Sequence, residues 1–355
     1  MQRAPRRRSL SVGSTFEVCG SVHAGAGRSG LVALNDGFRH EAFLYADHSE
    51  FLAGMAAFIG DAVAAGEPIL VVVDAAKIAA LRTVLDGDAE RVQGADMATV
   101  GRNPARIIPA WQAFVDQHSA NGQRLRGISE PIWAGRSPDE LNECQHHEDL
   151  LNEAFVDTAG FWLLCPYDTA ALERVVIDQA HGTHPLIDHA GQIHPSRHYH
   201  RADATTLFQE PLPEPPAGVV VYEFGAADLA SVRRFAAQHA VAAGRVDRAT
   251  DVALVAGELA TNSLCHGGGG GAVRLWRQYA ALICEVRDRG QVVDPLVGRR
   301  RPVDGQLGGR GLWVVNQLCD LVQVRSSPSG TTVRVQISSN DSSLARRDLH
   351  RVAPL

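Results

Sequence analysis

The chain has 355 residues, enough for two domains of about 150 residues each with connecting segments, and its 45% hydrophobic content can fill separate cores. A net charge of −6 provides no strongly basic surface for nucleic acid, and no apolar stretch approaches the roughly 18 residues of a membrane span. The arginines near the start (Arg3, Arg6, Arg7, Arg8) are followed by no apolar run of the secretory kind. A cytoplasmic protein that binds neither nucleic acid nor membrane is expected.

Six cysteines (Cys19, Cys144, Cys165, Cys265, Cys284, Cys319) are scattered without a C-x-x-C and read as reduced thiols. The 34 basic residues include one lysine, Lys77. A Walker A loop needs Gly-Lys-Ser/Thr because its lysine reaches the phosphates, so a conventional P-loop NTPase is excluded. No His-Arg-Asp or Asp-Phe-Gly is present, which removes the eukaryotic-type protein kinases. Any ATP site in this chain must hold phosphates without a lysine.

Residues 1–36 are rich in Arg, Ser and Gly and read as a disordered arm. Ala42–Tyr45 forms a short strand, and Asp47-His-Ser49 offers N-caps for a helix through Phe51, Met55 and Ile59 that ends at Gly66. Ile69-Leu-Val-Val-Val73 has the continuous apolar character of a buried parallel strand, and a helix over Ala75–Leu85 follows. Helices at Ile107–Asp116, Pro138–Phe155 and Thr169–Ala180 alternate with strands at Leu125–Ile128 and Phe161–Cys165, which predicts an α/β domain with a parallel sheet over 37–189. Residues 190–218, rich in proline, have the composition of a linker. A second domain spans 219–340, and a polar tail follows over 341–355.

The second domain carries the informative residues. Asp251–Cys265 reads as a helix on which Glu258, Asn262 and His266 recur every four residues and share a face. A carboxylate and an amide so aligned can accept a proton and help hold Mg²⁺, which prefers a few oxygen ligands plus phosphate oxygens; a solvated polar face is the plain alternative. The strand Leu282–Arg287 ends in Asp288-Arg289-Gly290, where a carboxylate can accept from an exocyclic amine and a glycine lets a base approach. Gln306-Leu-Gly308-Gly309-Arg310-Gly311-Leu312 then feeds a helix at Trp313–Asp320, the lysine-free way to hold phosphates with backbone N–H groups. Ser329-Gly330-Thr331-Thr332 opens the strand Val333–Ile337.

In this order and spacing the four segments resemble the Bergerat, or GHKL, ATPase fold shared by histidine kinases, gyrase and MutL. The resemblance covers residues 222–337, with the N-box at Glu258–Asn262, the G1 box at Asp288–Gly290, the G2 box at Gly308–Leu312 and the G3 element at Gly330–Thr332. The G1 box departs from the usual pattern in having Val292 at the place of its second glycine. Within that superfamily the domain is similar to the anti-sigma factor serine kinases of the RsbW type, with a short lid between Val292 and Gly308 and no preceding dimerisation helix bearing a phosphoacceptor histidine. The resemblance implies an ATP and Mg²⁺ site in which Asn262 binds Mg²⁺ and Asp288, next to Gly290, binds the adenine amine. It places Gly308, Gly309, Arg310, Gly311 and Leu312 around the phosphates, adds Thr331 and Thr332 to the nucleotide contacts, and makes Glu258 the catalytic base.

Residues 38–188 resemble the MEDS sensory domain through Phe38-Arg-His40-Glu41-Ala-Phe-Leu-Tyr45, Glu130-Pro-Ile-Trp133 and His147-Glu148-x-x-x-Asn152. That implies a RecA-like three-layer domain with a parallel sheet ahead of a two-layer α/β sandwich. The pairing looks like the RsbA family of anti-sigma regulators, whose partners would be a sigma factor and a STAS-type anti-anti-sigma protein phosphorylated on Ser or Thr; homodimerisation stays open. Two rival readings are a sensor histidine kinase that phosphorylates one of its own histidines and a nucleotide-gated adaptor without catalysis. Glu143 and His147, on one helix face, pose as a zinc pair, but helix-surface polarity is the expected explanation. His181, His184, His189, His194, His198 and His200 read as a histidine-rich connection, and His40 as a packing residue rather than a phosphoacceptor.

Overall fold

The computed structural model describes residues 37–119, 122–201, 204–303, 309–338 and 353–355. The arm expected over 1–36, Gly308 and most of the expected tail lie outside the described residues. Strand β1 (Arg39–Tyr45) leads into helix α1 (His48–Ala65), which Asp47 caps by accepting from the Glu50 N–H and which ends at Gly66 in the left-handed conformation (φ 68°). Then come β2 (Ile69–Val73), α2 (Ala75–Leu85), β3 (Gln93–Asp96), the single turn α3 (Met97–Val100), α4 (Ile107–His118), β4 (Leu125–Ser129) and α5 (Pro138–Ala154). Next are β5 (Phe161–Asp168), α6 (Arg174–Thr183), β6 (Leu186–His189), β7 (Gln192–Pro195) and the short α7 (Ala204–Leu207).

The strands β3, β2, β4, β5, β1 and β6 pair in parallel in that order, with β7 antiparallel at one edge and β13 (Ala353–Pro354) antiparallel at the other. Every residue of β2 is buried, as expected of a strand covered on both faces. One core packs Trp111, Leu151, Phe161 and Leu163 on one side of the sheet; a second packs Phe51, Ile59, Val71 and Leu81 on the other. This is the expected three-layer α/β domain.

Three expectations about this half need correction. Helix α6 begins at Arg174, not Thr169, because Asp168 Oδ1 accepts from the Ala170 and Ala171 N–H groups and holds the chain in a turn first. The expected linker contains structure: residues 190–195 complete the β6–β7 hairpin, and Phe208 is buried in the first core. The end of the expected polar tail is built into this half, since Leu355 packs with Val71 and Val92 and donates its N–H to the Val92 carbonyl. Strand β3 escaped notice because Gln-Gly-Ala-Asp has no β-branched residue; its neighbours place it there.

The second half contains β8 (Val220–Gly225), α8 (Leu229–Ala242), α9 (Ala249–His266), β9 (Gly270–Gln278), β10 (Ala281–Asp288), α10 (Gly311–Leu318), β11 (Leu321–Ser327) and β12 (Gly330–Ile337). The sheet is antiparallel throughout, in the order β11-β12-β10-β9-β8, and the three helices cover one face to give the expected two-layer sandwich. Strand alternation sends Leu282, Cys284 and Val286 into that core and Glu285 to the opposite face. There Glu285 is fully buried and accepts from Arg274 (3.0 Å), Arg287 (2.8 Å) and Arg334 (2.6 Å). Arg334 also donates to the Pro213 carbonyl at 2.7 Å, so the proline-rich segment lies against this face.

The two halves meet through buried polar groups and through Leu296, which packs in the first core. Glu143 of α5, 1% exposed, lies 2.8 Å from Arg325 and 3.5 Å from Arg299. Asn103 donates to the Asn316 carbonyl at 3.0 Å, and Arg102 lies 2.8 Å from Asp320. Burial pushes the Glu143 carboxyl up, but His146, Arg325 and Arg299 together pull it below the ordinary carboxylate range. A depressed carboxyl stabilises the fold above its unfolded value and loses that contribution as pH falls through its folded value. Removing one partner of such a buried pair costs about 3–5 kcal/mol. Glu143→Ala is therefore expected to lower urea stability by that order at pH 7, with the difference from wild type shrinking below pH 4.5, which denaturation at stepped pH checks.

Candidate nucleotide site

The site is built where α9 ends against the end of β10. Asp288, the last residue of β10, faces the helices; its Oδ2 accepts from Ser263 Oγ at 2.6 Å and its Oδ1 from the Gly290 N–H at 2.8 Å. Two donors thus fix the carboxylate, whose remaining lone pairs are free to accept from a group in the cavity. The approach is close enough to require glycine on both sides. A Cβ at Gly267 would collide with the Asp288 carboxylate, and one at Gly290 with the His266 carbonyl. Gly290 therefore serves the backbone contact between α9 and β10.

Between these groups lies a cavity of about 340 Å³. Leu259, Val286, Val324 and Val333 give it apolar walls suited to a planar base, while Asn262, His266, Asp288 and Thr331 supply polar groups. Thr331 Oγ1 donates to the Gly290 carbonyl at 2.8 Å and lies 3.1 Å from Ser326 Oγ. Ser326 Oγ in turn accepts from the Val292 N–H at 2.8 Å. Val292 lines the cavity, so the position that departs from the G1 pattern is held by a side-chain hydroxyl and adds an apolar wall.

The glycine-rich loop closes the other side. Gly309, in the left-handed region at φ 74°, and Leu312 both line the cavity. A Cβ at Gly311, the first residue of α10, would sit 2.9 Å from Glu258 Oε2 and 3.4 Å from Asn262 Oδ1. The N-terminus of α10 thus abuts the carboxylate and amide of α9, and the first N–H groups of a helix, which lack intrahelical partners, suit an anion. Along α9 the order is Ser263 at the Asp288 end, then Asn262, then Glu258 one turn further back.

The structure gathers most of the residues singled out from the sequence. Asn262, Asp288, Gly290, Gly309, Leu312 and Thr331 line one cavity, and Gly311 stands beside it against Glu258. Thr332 does not join them, because β12 alternates and turns it to the opposite face, where it lines a separate cleft. Arg310 is exposed and is not among the lining residues, and Gly308 lies outside the described residues. Ser263, Gly267 and Ser326 were missed. A serine on a helix facing a carboxylate on a strand is invisible before the fold is known, whereas the Gly267–Gly271 run at the end of α9 was a readable sign of close backbone approach.

The N-terminal expectations change more. The polar stretch of α5 is no solvated face: Glu143, His147 and Glu148 are all buried, and Glu143 pairs with arginines rather than with His147. His40, 1% exposed, is enclosed and out of reach of a γ-phosphate, while His184 is core rather than linker.

A helix–sheet sandwich with a carboxylate-floored cavity and a glycine-rich helix start defines an ATPase-type domain. Residues 223–337 match the family model of the histidine kinase-like ATPase domain, and residues 39–185 match that of the MEDS, or methanogen/methylotroph DcmR sensory, domain. The chain thus joins an N-terminal MEDS domain to a histidine kinase-like ATPase domain. No curated protein matches it. Among the described residues, no helix is long and apolar enough to cross a membrane.

Hydrogen bonds to charged groups contribute about 1.5–3 kcal/mol, so Asp288→Asn and Asn262→Ala are each expected to weaken ATP binding about tenfold or more. Ser263→Ala, which frees but does not remove the carboxylate, is expected to weaken it about three- to tenfold. Isothermal titration with ATP checks both.

Proposed function

We propose that the chain is an ATP-dependent anti-sigma regulator that phosphorylates a serine or threonine of a STAS-type partner and sequesters a sigma factor. The observation that carries this reading is the placement of Glu258. It stands one helical turn beyond Asn262 and directly beside Gly311, at the end of the site where the loop would hold the terminal phosphate. A pure binding module needs Asp288, Asn262 and the loop amides; a carboxylate at the phosphate end adds a group that can take the proton of an incoming hydroxyl.

In this mechanism Asp288 accepts from the adenine amine and Ser263 keeps its carboxylate oriented. The backbone N–H groups at the start of α10 hold phosphate oxygens. The oxygen of Asn262 beside these amides is the hard, neutral donor that would suit Mg²⁺, which would supply charge neutralisation during phosphoryl transfer. Glu258 orients the attacking hydroxyl and accepts its proton.

The contacts between the halves support sensory control of this site. Leu296, in the segment after the G1 box, is buried in the N-terminal core; Arg299 reaches Glu143 of α5; and Asn316 of α10 donates to the Gly298 carbonyl at 2.8 Å. The base of the lid is therefore held by the sensory domain.

The decisive test is incubation with labelled ATP, Mg²⁺ and candidate STAS proteins. Label is expected on a partner serine or threonine, stable to acid, absent with Asn262→Ala and reduced about 10²-fold or more with Glu258→Gln, which should still bind ATP. Acid-labile label on the chain itself would establish a histidine kinase instead. ATP binding with no transfer, and partner regulation unaltered in Glu258→Gln, would establish an adaptor.

A further inference from the structure

Four side chains from separate parts of the N-terminal domain converge in its core: His40 of β1, Glu148 of α5, Cys165 of β5 and His184 just after α6. All are buried, and their donor atoms lie within 4.8 Å of one another. His40 Nε2 is 3.1 Å from Glu148 Oε2, His184 Nε2 is 3.3 Å from the same oxygen, and Cys165 Sγ is 3.4 Å from His40 Nε2. Zinc bonds of about 2.0–2.3 Å in a tetrahedron separate neighbouring donors by about 3.3–3.7 Å; the three contacts here, 3.1–3.4 Å, lie close to that spacing, within a set that spans up to 4.8 Å.

The hydrogen bonds around the cluster decide which atoms face inward. His184 Nδ1 lies 2.9 Å from the Ala180 carbonyl, which only an N–H can satisfy. Asn152 donates through Nδ2 to the Thr183 carbonyl at 2.8 Å, so its amide oxygen is the atom 3.1 Å from His40 Nδ1, and that nitrogen too must donate. In their neutral forms both imidazoles therefore turn Nε2 lone pairs toward the Glu148 carboxylate and the Cys165 sulfur. His184 Nε2 and Glu148 Oε1 make no hydrogen bond at all; the 3.3 Å approach of His184 to Oε2 is poorly directed for one. Lone pairs converging in a buried space repel unless a proton or a cation lies among them; the Cys165 thiol can supply one proton, to His40 Nε2, and leaves His184 Nε2 and Glu148 Oε1 unmet. Anchoring the far nitrogen of each histidine to a carbonyl is also how proteins orient imidazole ligands toward metals.

We propose that His40, Glu148, Cys165 and His184 form a binding site for one divalent transition-metal ion of the zinc type. The two imidazoles and the thiolate select that class over Mg²⁺ or Ca²⁺, and four protein donors make the site closed, as in structural zinc centres. Binding releases the thiol proton of Cys165 and ties β1, β5 and the end of α6 to α5, the helix that also presents Glu143 to the ATPase domain. The sequence displayed only fragments of this set, because its members are separated by 108, 17 and 19 residues along the chain (40 to 148, 148 to 165, 165 to 184).

The test uses the full chain. Stripped of metal and titrated with Zn²⁺ against a competing chelator, it should take up one equivalent at high affinity. With Co²⁺ it should give the near-ultraviolet thiolate-to-cobalt band and the intense visible bands of a tetrahedral site. Cys165→Ser should abolish the thiolate band and His184→Gln should weaken Zn²⁺ binding at least 10-fold, as about 1.4 kcal/mol corresponds to tenfold, whereas Cys144→Ser, which alters a buried thiol outside the cluster, should retain both signals. Wild-type protein that takes up no metal would overturn the proposal. So would uptake without a thiolate band, which would put the ion on the exposed histidines near 194–200, and so would imidazole NMR showing both rings doubly protonated around Glu148 in the metal-free and metal-treated protein alike.

Discussion

A carboxylate buried at 1% exposure is costly unless cations meet it, and Glu143 meets two that belong to the other half of the chain. Arg299 comes from the segment that follows the G1 box and Arg325 from β11, so the sensory helix α5 holds both the lid base and the strand beside the cavity. A shifted docking that kept this contact buried would leave one anion and two guanidinium groups unpaired at once. The polar contact therefore enforces a particular docking with a directionality that an apolar patch would lack. Leu296, three residues before Arg299, packs in the N-terminal core and adds an apolar contact to the same docking.

Inside the ATPase domain a second buried carboxylate does related work. Glu285 gathers three arginines on the face of the sheet away from the helices, and Arg334 passes that restraint to the proline-rich segment through Pro213. With one face of the sheet so held and α9 and α10 packed on the other, the ends of β10 and β12 are fixed to within backbone contact. Asp288 can then present its carboxylate with both oxygens already oriented, a preorganisation that a mobile strand end would not provide.

Much of this was legible in the residues. The apolar runs located β1, β2, β4 and β5, the stretch Asp251–Cys265 located α9, and Asn262, Asp288 and Gly309 were recognisable because site chemistry there is written in short contiguous segments. The same local reading failed for α5. Polarity at Glu143, His147 and Glu148 predicts a solvent-facing surface, and only partners from other elements, Arg299 and Arg325 for Glu143 and His40 and His184 for Glu148, make that surface an interior. It failed for Thr332 because one residue of strand register decides which face a side chain takes, and for residues 190–195 because a proline and histidine composition says nothing of an available sheet edge.

The sequence by itself determined the class of each domain, the absence of a lysine-based phosphate grip and the set of groups able to replace it, since helical and strand periodicity and glycine-rich turns act over a few residues. Tertiary structure alone decided which of those groups share a cavity, that the lid base is anchored to the sensory domain, and that His40, Glu148, Cys165 and His184 form one cluster. These are pairings across long stretches of chain, and their energies depend on burial, which strips water from a charge or a lone pair and so makes its partner decisive.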